Sequence, residues 1–175
     1  MADKMTRRTF MKGAAVMAAA ASLSGMLAGC GESTDLYADA SGVNNWADLQ
    51  GIKMRVTSVG SVSYTDGSFY IVPKIEIRND GVLSVQINPT KGSFKVLLDR
   101  KAELVPDSAS MKAIENSKDL KPIATQNVAR GSKASGCICV KGKSVSTFDR
   151  LQIIYYPMAS DKTTYLRCTI NANEV

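Results

Sequence analysis

The most informative absence in this sequence is histidine, which occurs nowhere among the 175 residues. Histidine is the commonest catalytic base and the commonest metal ligand near neutral pH. Without it the chain cannot build a serine–histidine–aspartate or cysteine–histidine nucleophile, or a metal site that relies on imidazole. A glycine-rich phosphate loop is missing too, because Gly131-Ser132-Lys133 lacks the preceding glycine of that motif. We therefore predict no enzyme activity and no cofactor.

Aromatic residues are also few, at 6% of the chain with Trp46 as the single tryptophan, whereas 45% of the residues are hydrophobic. That hydrophobic content is typical of a packed globular domain. The formal net charge is +6, and loss of residues 1–29 as a leader would lower it to +3, because four basic residues and one acidic residue leave. So small an excess of positive charge does not predict nucleic-acid binding.

The first residues of the chain carry a targeting motif. Thr6-Arg7-Arg8-Thr9-Phe10-Met11-Lys12 resembles the twin-arginine translocation motif, with paired arginines, a phenylalanine two positions later and a closing lysine. An alanine-rich apolar run follows at residues 13–28. This run is too short and too weakly hydrophobic to predict a helix that spans about 30 Å of hydrocarbon. A basic segment followed by a short apolar run is typical of a removable export signal.

A second motif ends the leader. Leu27-Ala28-Gly29-Cys30 resembles the lipobox of bacterial lipoproteins. The resemblance implies that the Cys30 sulfur receives a diacylglyceryl group and that cleavage makes Cys30 the first residue of the mature protein. Two or more acyl chains anchor a protein stably where one does not, because each buried methylene contributes about 0.8 kcal/mol. We expect the protein to be anchored to the outer face of the bacterial cytoplasmic membrane, at the cell surface or in the envelope.

The chain therefore divides into three predicted segments. Residues 1–29 are the twin-arginine lipoprotein signal peptide, and residues 30–50 are the lipidated cysteine and a flexible tether. The tether is rich in glycine, serine, aspartate, asparagine and alanine and shows little apolar periodicity. Residues 51–175 form the folded domain, and we expect Trp46 and Leu49 to contact it.

Short alternating segments separated by turn residues run through the domain. Ile52, Met54 and Val56 share one strand face, as do Ile75 and Ile77 in a later segment. The alternation predicts strands near residues 52–56, 69–78, 83–88, 94–98, 132–140, 151–156 and 163–170. Helical periodicity occurs at residues 107–117, where an N-terminal aspartate is positioned to cap a short helix. This pattern predicts an antiparallel β-sandwich of seven or eight strands with one short helix in a loop.

Several of these segments resemble one family. Ile75-Glu76-Ile77-Arg78-Asn79-Asp80-Gly81, Phe94-Lys95-Val96-Leu97-Leu98-Asp99 and Leu151-Gln152-Ile153-Ile154-Tyr155-Tyr156-Pro157 are similar to strands of immunoglobulin-like bacterial lipoproteins of unknown function. That family is sometimes labelled after a telomeric repeat-binding factor. Its pattern also contains a turn glycine before a strand with a second glycine, here Gly131 and Gly136. The resemblance covers residues 51–175 and implies an immunoglobulin-like sandwich outside the cytoplasm, with no activity. The chain departs from the pattern by carrying two cysteines on the strand that contains Gly136.

Those cysteines are the one cluster of chemically reactive residues. Cys137 and Cys139 lie two apart, so their side chains share a strand face, which we expect to point outward. Cys168 shares a face with Leu166 and Ile170, which we expect to point inward. Three arrangements remain open: a disulfide between Cys168 and one of the pair, packed free thiols, or a soft-metal or redox site.

The charged and aromatic residues allow a polar or an interacting role. Four aspartates occur at turns, where aspartate usually accepts hydrogen bonds from backbone amides: Asp66, Asp80, Asp99 and Asp107. Two groups of basic residues are either solvated strand faces or a contact for anionic headgroups and acidic wall polymers: Lys91, Lys95, Arg100 and Lys101, and Arg130, Lys133, Lys141 and Lys143. Four tyrosines are either a contact surface or core packing: Tyr64, Tyr70, Tyr155 and Tyr156.

These observations favour a non-catalytic binding module that is exported, anchored by lipid and directed at a protein or an envelope polymer. The alternative is an exported thiol protein that binds a soft metal or exchanges disulfides through Cys137, Cys139 and Cys168. An enzyme that uses carboxylates on loops is a third and less favoured reading.

Overall fold

The computed structural model describes residues 35–64, 66–81, 84–142 and 148–174. These residues form an all-β domain with one short α-helix, which confirms the predicted fold class. The strands and the helix are β1 (Leu36–Ser41), β2 (Ala47–Leu49), β3 (Ile52–Ser63), β4 (Phe69–Asn79), β5 (Val85–Ile87), β6 (Phe94–Leu98), β7 (Ala102–Leu104), α1 (Ser108–Ala113), β8 (Gln126–Val128), β9 (Ser132–Cys137), β10 (Val140–Gly142), β11 (Arg150–Tyr155) and β12 (Thr164–Asn171). Single turns of 3₁₀-helix cover Pro89–Lys91 and Ala172–Glu174.

Two sheets form the layers of the sandwich. Sheet A has the strand order β1-β12-β11-β6-β7, and sheet B has the order β10-β4-β3-β2, with β9 also paired to β4. Strands β5 and β8 form a separate antiparallel pair. The strands alternate as the sequence predicts, because the core side of each sheet is apolar and the other side is mostly polar. Ile75 and Ile77 of β4 and Ile153 of β11 are all 0% exposed.

The structure corrects the predicted strand count and the predicted tether. The described residues contain twelve strands rather than seven or eight, and β1 runs parallel to β12. Residues 36–41 and 47–49, assigned from the sequence to a flexible tether, are strands β1 and β2. The inward side chains of β1 are only Ala38 and Ala40, which give too weak a hydrophobic alternation to be recognised as a strand. Leu49 is buried and Trp46 is half-buried beneath Arg55, as expected for residues that contact the domain.

Pro73 predicts an edge or a bulge in its strand, and the structure places the irregularity in the neighbouring strands instead. Strand β4 is continuous and internal to sheet B. Its partner β3 shifts register between Val56 and Ser58, almost opposite Pro73. On the other side β9 ends at Cys137 and β10 begins at Val140. The proline, which has no N–H to donate, therefore lies where the ladder on both sides is interrupted.

The segment between β7 and β8 contains α1 and packs on β9. The Asp107 carboxylate caps the helix by accepting from the Ser110 amide at 2.6 Å, as predicted, and Met111 and Ile114 are buried. The chain then passes over Gly136 so closely that a Cβ atom there would lie 2.6 Å from the Cα of Ile123. Only glycine permits this approach. Within the described residues, no helix is both long and apolar enough to cross a membrane.

Candidate interaction surface

A cluster of three tyrosines lies on the outer face of sheet A. Tyr37 of β1 and Tyr165 of β12 face each other across the parallel pair, and their rings stack at 5.2 Å between centroids with 5° between planes. Tyr156, directly after β11, meets Tyr165 edge-on at 6.0 Å. Alternation aims Tyr37 and Tyr165 outward, because Ala38 and Leu166 occupy the inward positions beside them, and both tyrosines are half-buried. Tyr156 is buried, at 6% exposure, and supports Tyr165 from the side. We call Tyr37, Tyr156 and Tyr165 the tyrosine cluster.

Two cations lie on these rings. The Arg167 guanidinium is 5.3 Å from the centre of the Tyr37 ring and makes two hydrogen bonds to Asp39, at 2.9 and 2.7 Å. The Lys162 ammonium is 4.1 Å from the centre of the Tyr156 ring and donates to the Gly92 carbonyl. Burial, and then the neighbouring Lys95, lowers the pKa of Lys162. These cation–π contacts and the paired carboxylate restrict the orientation of the Tyr37 and Tyr156 rings.

The tyrosine cluster lies at one end of sheet A. The Leu36 amide at the start of β1 donates to the Thr163 carbonyl just before β12, and the Tyr156 amide donates to the Ser93 carbonyl just before β6. The starts of β1, β6 and β12 therefore meet at the loop that joins β11 to β12, residues 156–163. We call this the hairpin end of sheet A. It also carries two exposed apolar side chains, Leu36 at 43% and Met158 at 55% exposure.

A shallow groove of about 470 Å³ opens at the hairpin end. One wall is the β11–β12 loop and the other is β5 with the residues that follow it, joined where the Gln86 amide donates to the Pro157 carbonyl. Amide, hydroxyl and ammonium groups line the groove together with an exposed thioether: Ser84, Gln86, Asn88, Lys91, Pro157, Met158, Ala159 and Ser160. Such a groove offers hydrogen bonds to a partner but holds no carboxylate among these lining residues.

The outer face of sheet B has a different chemistry. Arg55 of β3 faces Glu76 of β4 across the ladder, and their side chains pair at 2.6 Å. Lys53 bridges Asp48 at 3.5 Å and Asp80 at 3.2 Å, and Asp80 also accepts from Arg78 at 2.7 Å. The Arg78 and Lys53 contacts lower the pKa of Asp80. Three basic side chains of this face, Lys53, Arg55 and Arg78, are therefore ion-paired within the sheet.

The structure corrects the expected exposure of two cysteines. Register places Cys137 opposite the exposed Lys74, on the face away from the core, as predicted, yet Cys137 is 1% exposed and Cys139 is 0% exposed. The Cys139 amide donates to the sulfur of Met111 at 3.4 Å, so the helical segment covers this part of sheet B. Cys168 points inward, as predicted, and its thiol donates to the Met54 carbonyl at 3.6 Å.

All three thiols are free and buried, so the structure contains none of the disulfides considered from the sequence. Desolvation raises the pKa of Cys139 and of Cys168 to about 12, and it also raises the pKa of Cys137. A thiol in that state is protonated at neutral pH, and the protonated form is a poor nucleophile and metal ligand. Among the residues that the structure describes, no three histidine, cysteine, aspartate or glutamate side chains group as a metal site would require. The thiol alternative therefore has no geometric support.

The turn aspartates are occupied by the protein itself. Asp66 accepts from the Ser68 amide at 2.8 Å, and Asp99 accepts from the amides of Asp149 and Arg150 at 2.9 and 2.8 Å. Hydrogen bonds from Ser68 and from Ser110 lower the pKa of Asp66 and of Asp107, respectively. These carboxylates stabilise turns and a helix cap, as expected from their positions.

The basic residues and tyrosines chosen from the sequence are distributed over the domain. Lys91 lines the groove and Lys95 pairs with Glu103 at 3.0 Å, whereas Lys133 lies beside Arg78 on sheet B. Lys143 lies outside the described residues. Tyr155 is 0% exposed in the core, and its hydroxyl donates to the Gln86 carbonyl at 3.0 Å. The sequence analysis selected Tyr156 of the cluster but not Tyr37 or Tyr165. Tyr37 was missed because it lies in the segment that the sequence assigned to the tether.

Comparison with known proteins identifies the leader. Residues 4–24 match the twin-arginine translocation pathway signal sequence. The leader is an export signal. The protein is therefore exported across the cytoplasmic membrane, which confirms this part of the sequence prediction. Arg7, Arg8, Phe10 and Lys12 fall within the matched stretch, but they and Cys30 lie outside the described residues, and lipidation stays a prediction.

Solved structures support the fold without a function. The domain is similar to ycdA, a candidate lipoprotein of Bacillus subtilis strain 168, with a TM-score of 0.53 and 8% identity over 73% of this chain. The chain spans only 38% of that protein. It is also similar to the yjhA protein of Bacillus subtilis, with a TM-score of 0.51 and 12% identity, covering 74% of this chain and 98% of yjhA. No curated protein matches the sequence. The immunoglobulin-like family assignment stays a prediction.

Proposed function

We propose that this protein is an exported binding module, anchored through a lipid on Cys30, that acts by contact and not by catalysis. The tyrosine cluster is the observation that carries the proposal. Tryptophan, tyrosine and arginine are enriched at the energetic centres of interfaces. A tyrosine ring buries a large area at a low cost in conformational entropy, because it has only two side-chain torsions. Here Arg167 and Lys162 already hold the rings in place, which lowers the entropy cost of binding.

The remaining reactive groups support this proposal because each is engaged in the fold. Cys139 and Cys168 are protonated and buried, and Asp99 and Asp107 accept hydrogen bonds from backbone amides. On the outer face of sheet B, Lys53, Arg55 and Arg78 are held in ion pairs with acidic side chains of the same sheet. The tyrosine cluster and the adjoining groove combine aromatic, cationic and apolar groups at one end of the domain.

Lipidation is tested first. We expect wild-type protein in its own cells to be recovered with membranes, with a mass increased by acyl chains on an N-terminal Cys30. Cys30→Ala should be exported but neither acylated nor retained in the membrane fraction. Mass spectrometry of both fractions measures this directly. Membrane retention of Cys30→Ala equal to wild type would refute the anchor.

The binding surface is tested by photo-crosslinking in native membranes. A benzophenone amino acid replaces Met158, beside the tyrosine cluster, or Ala102 of β7, an exposed position at the opposite end of sheet A. We expect adducts from position 158 that disappear when Tyr37→Ser and Tyr165→Ser are added, and none from position 102. Circular dichroism checks that each variant is folded. Adducts that survive loss of the tyrosines, or that form equally at position 102, contradict the proposal.

A further inference from the structure

We propose that the partner of the hairpin end is the membrane itself: the domain docks on lipid headgroups with Leu36, Met158 and the tyrosine cluster at the bilayer surface. This inference deepens the proposed function and rests on lipidation of Cys30. It assigns the tyrosine cluster a lipid ligand and gives the domain one orientation on the membrane, with the opposite end of sheet A pointing away.

The short chain between Cys30 and β1 limits how far the domain can lie from the membrane. Cys30 precedes Leu36, the first residue of β1, by six positions. Six residues span at most about 20 Å even when fully extended. Residues 36–41 and 47–49 of the segment assigned from the sequence to a flexible tether are strands of the domain, so these residues cannot hold the domain at a distance. If Cys30 is acylated, it lies at the membrane surface, and the start of β1 must therefore lie near the lipid headgroups.

The side chains around the start of β1 are of the types found at membrane interfaces. Tyrosine rings are enriched at the headgroup level, where one part of the side chain is apolar and the other is polar. Leu36 and Met158 are exposed apolar side chains at this same end. Lys162, over the Tyr156 ring, is a cation of the kind that meets lipid phosphates.

Acidic groups at the hairpin end do not oppose this contact strongly. Asp39 is paired with Arg167 through two hydrogen bonds. Asp161 accepts from the Thr163 amide and hydroxyl, and these bonds lower its pKa. Asp35 precedes β1 and, like Asp161, is half-buried. Lys91 and Lys162 offset these two remaining charges, so apolar and aromatic contact, rather than net positive charge, is the principal attraction.

The test uses lipidated protein in vesicles of equimolar phosphatidylglycerol and phosphatidylethanolamine. Trp46→Phe removes the single tryptophan, and Met158→Trp or Ala102→Trp then introduces one reporter at either end of sheet A. Lipids brominated near the headgroup quench a tryptophan that lies at the surface. We expect strong quenching of the reporter at 158 and at least threefold weaker quenching at 102. Adding Leu36→Ser and Tyr37→Ser should reduce quenching at 158 toward the value at 102.

The outcomes separate this proposal from the proposed function. Mass spectrometry of the protein before reconstitution establishes whether Cys30 is acylated, and an unmodified Cys30 removes the anchor on which both depend. Acylated protein with equal quenching at both positions overturns membrane docking and leaves the anchored binding module intact. Adducts from position 158 that contain a protein and no lipid reassign the tyrosine cluster to a protein partner and also overturn docking. Circular dichroism verifies the fold of each variant.

Discussion

The two outer faces of the sandwich share a backbone geometry and differ in how their side chains are satisfied. On sheet B, Lys53, Arg55 and Arg78 are held in ion pairs with acidic side chains of the same sheet. On sheet A the contacts are ring on ring and cation on ring, as for Tyr37, Tyr165 and Arg167. Stripping water from a network of ion pairs is costly, whereas burying an aromatic surface is favourable. This difference is the reason that the proposed contact surface is on sheet A and not on sheet B.

The inner faces set the baseline for this comparison, and we expect the two sheets to respond alike there. Ile153→Ala on sheet A and Ile75→Ala on sheet B should each lower the free energy of unfolding by about 2–5 kcal/mol, because both side chains are fully buried. Urea unfolding followed by circular dichroism measures the loss. A cost below about 1 kcal/mol for either variant would show that its sheet does not pack on the common core.

Removing one side chain from the outer face of each sheet should lower the stability of the domain by different amounts. Tyr165→Ser loses two ring contacts and a half-buried side chain, and we expect it to cost about 1–3 kcal/mol. Glu76→Gln removes one partly exposed ion pair and should cost less than about 1 kcal/mol. The same urea titration compares them. Equal costs would mean that the tyrosine cluster contributes no more to stability than the ion pairs.

Ionic strength should sharpen the contrast between two cations. The destabilisation caused by Lys53→Gln on sheet B should be small at low salt and should vanish in about 1 M salt, where the Debye length is about 3 Å. The cost of Arg167→Gln on sheet A should largely persist, because the guanidinium also packs on Tyr37 and forms two hydrogen bonds to Asp39. Unfolding curves at both salt concentrations give the two differences. A salt-insensitive Lys53→Gln cost would contradict this assignment.

Neither sheet should present a reactive thiol. In Cys30→Ala protein at neutral pH we expect iodoacetamide to modify Cys137, Cys139 and Cys168 only as fast as the domain unfolds, because all three are buried with raised pKa values. A mass-spectrometric time course in buffer and in urea measures the rates. Rapid modification of any of the three in buffer would reopen the thiol alternative.

The sequence predicted most of the fold where a strand buries large side chains. Ile75 and Ile77 mark β4, Ile153 marks β11, and Asp107 marks the start of α1, because alternation and capping are local properties. It failed for β1, whose inward residues are alanines and whose partner β12 is more than a hundred residues away. A parallel pairing of the first and last strands leaves no local turn signal.

By itself, therefore, the sequence determined the export signal and the alternation of the main strands, because both are patterns of neighbouring residues. Its composition also determined that no histidine is present. Only the tertiary structure decided that Cys137 and Cys139 are buried, because their contacts come from another part of the chain. Met111 accepts from the Cys139 amide, and the backbone of Lys121 and Ile123 bonds to Cys137. The tertiary structure likewise brought Tyr37, Tyr156 and Tyr165 together from three separate segments. Side-chain pattern specifies a strand and its faces, but the pairing of distant strands decides which residues meet on those faces.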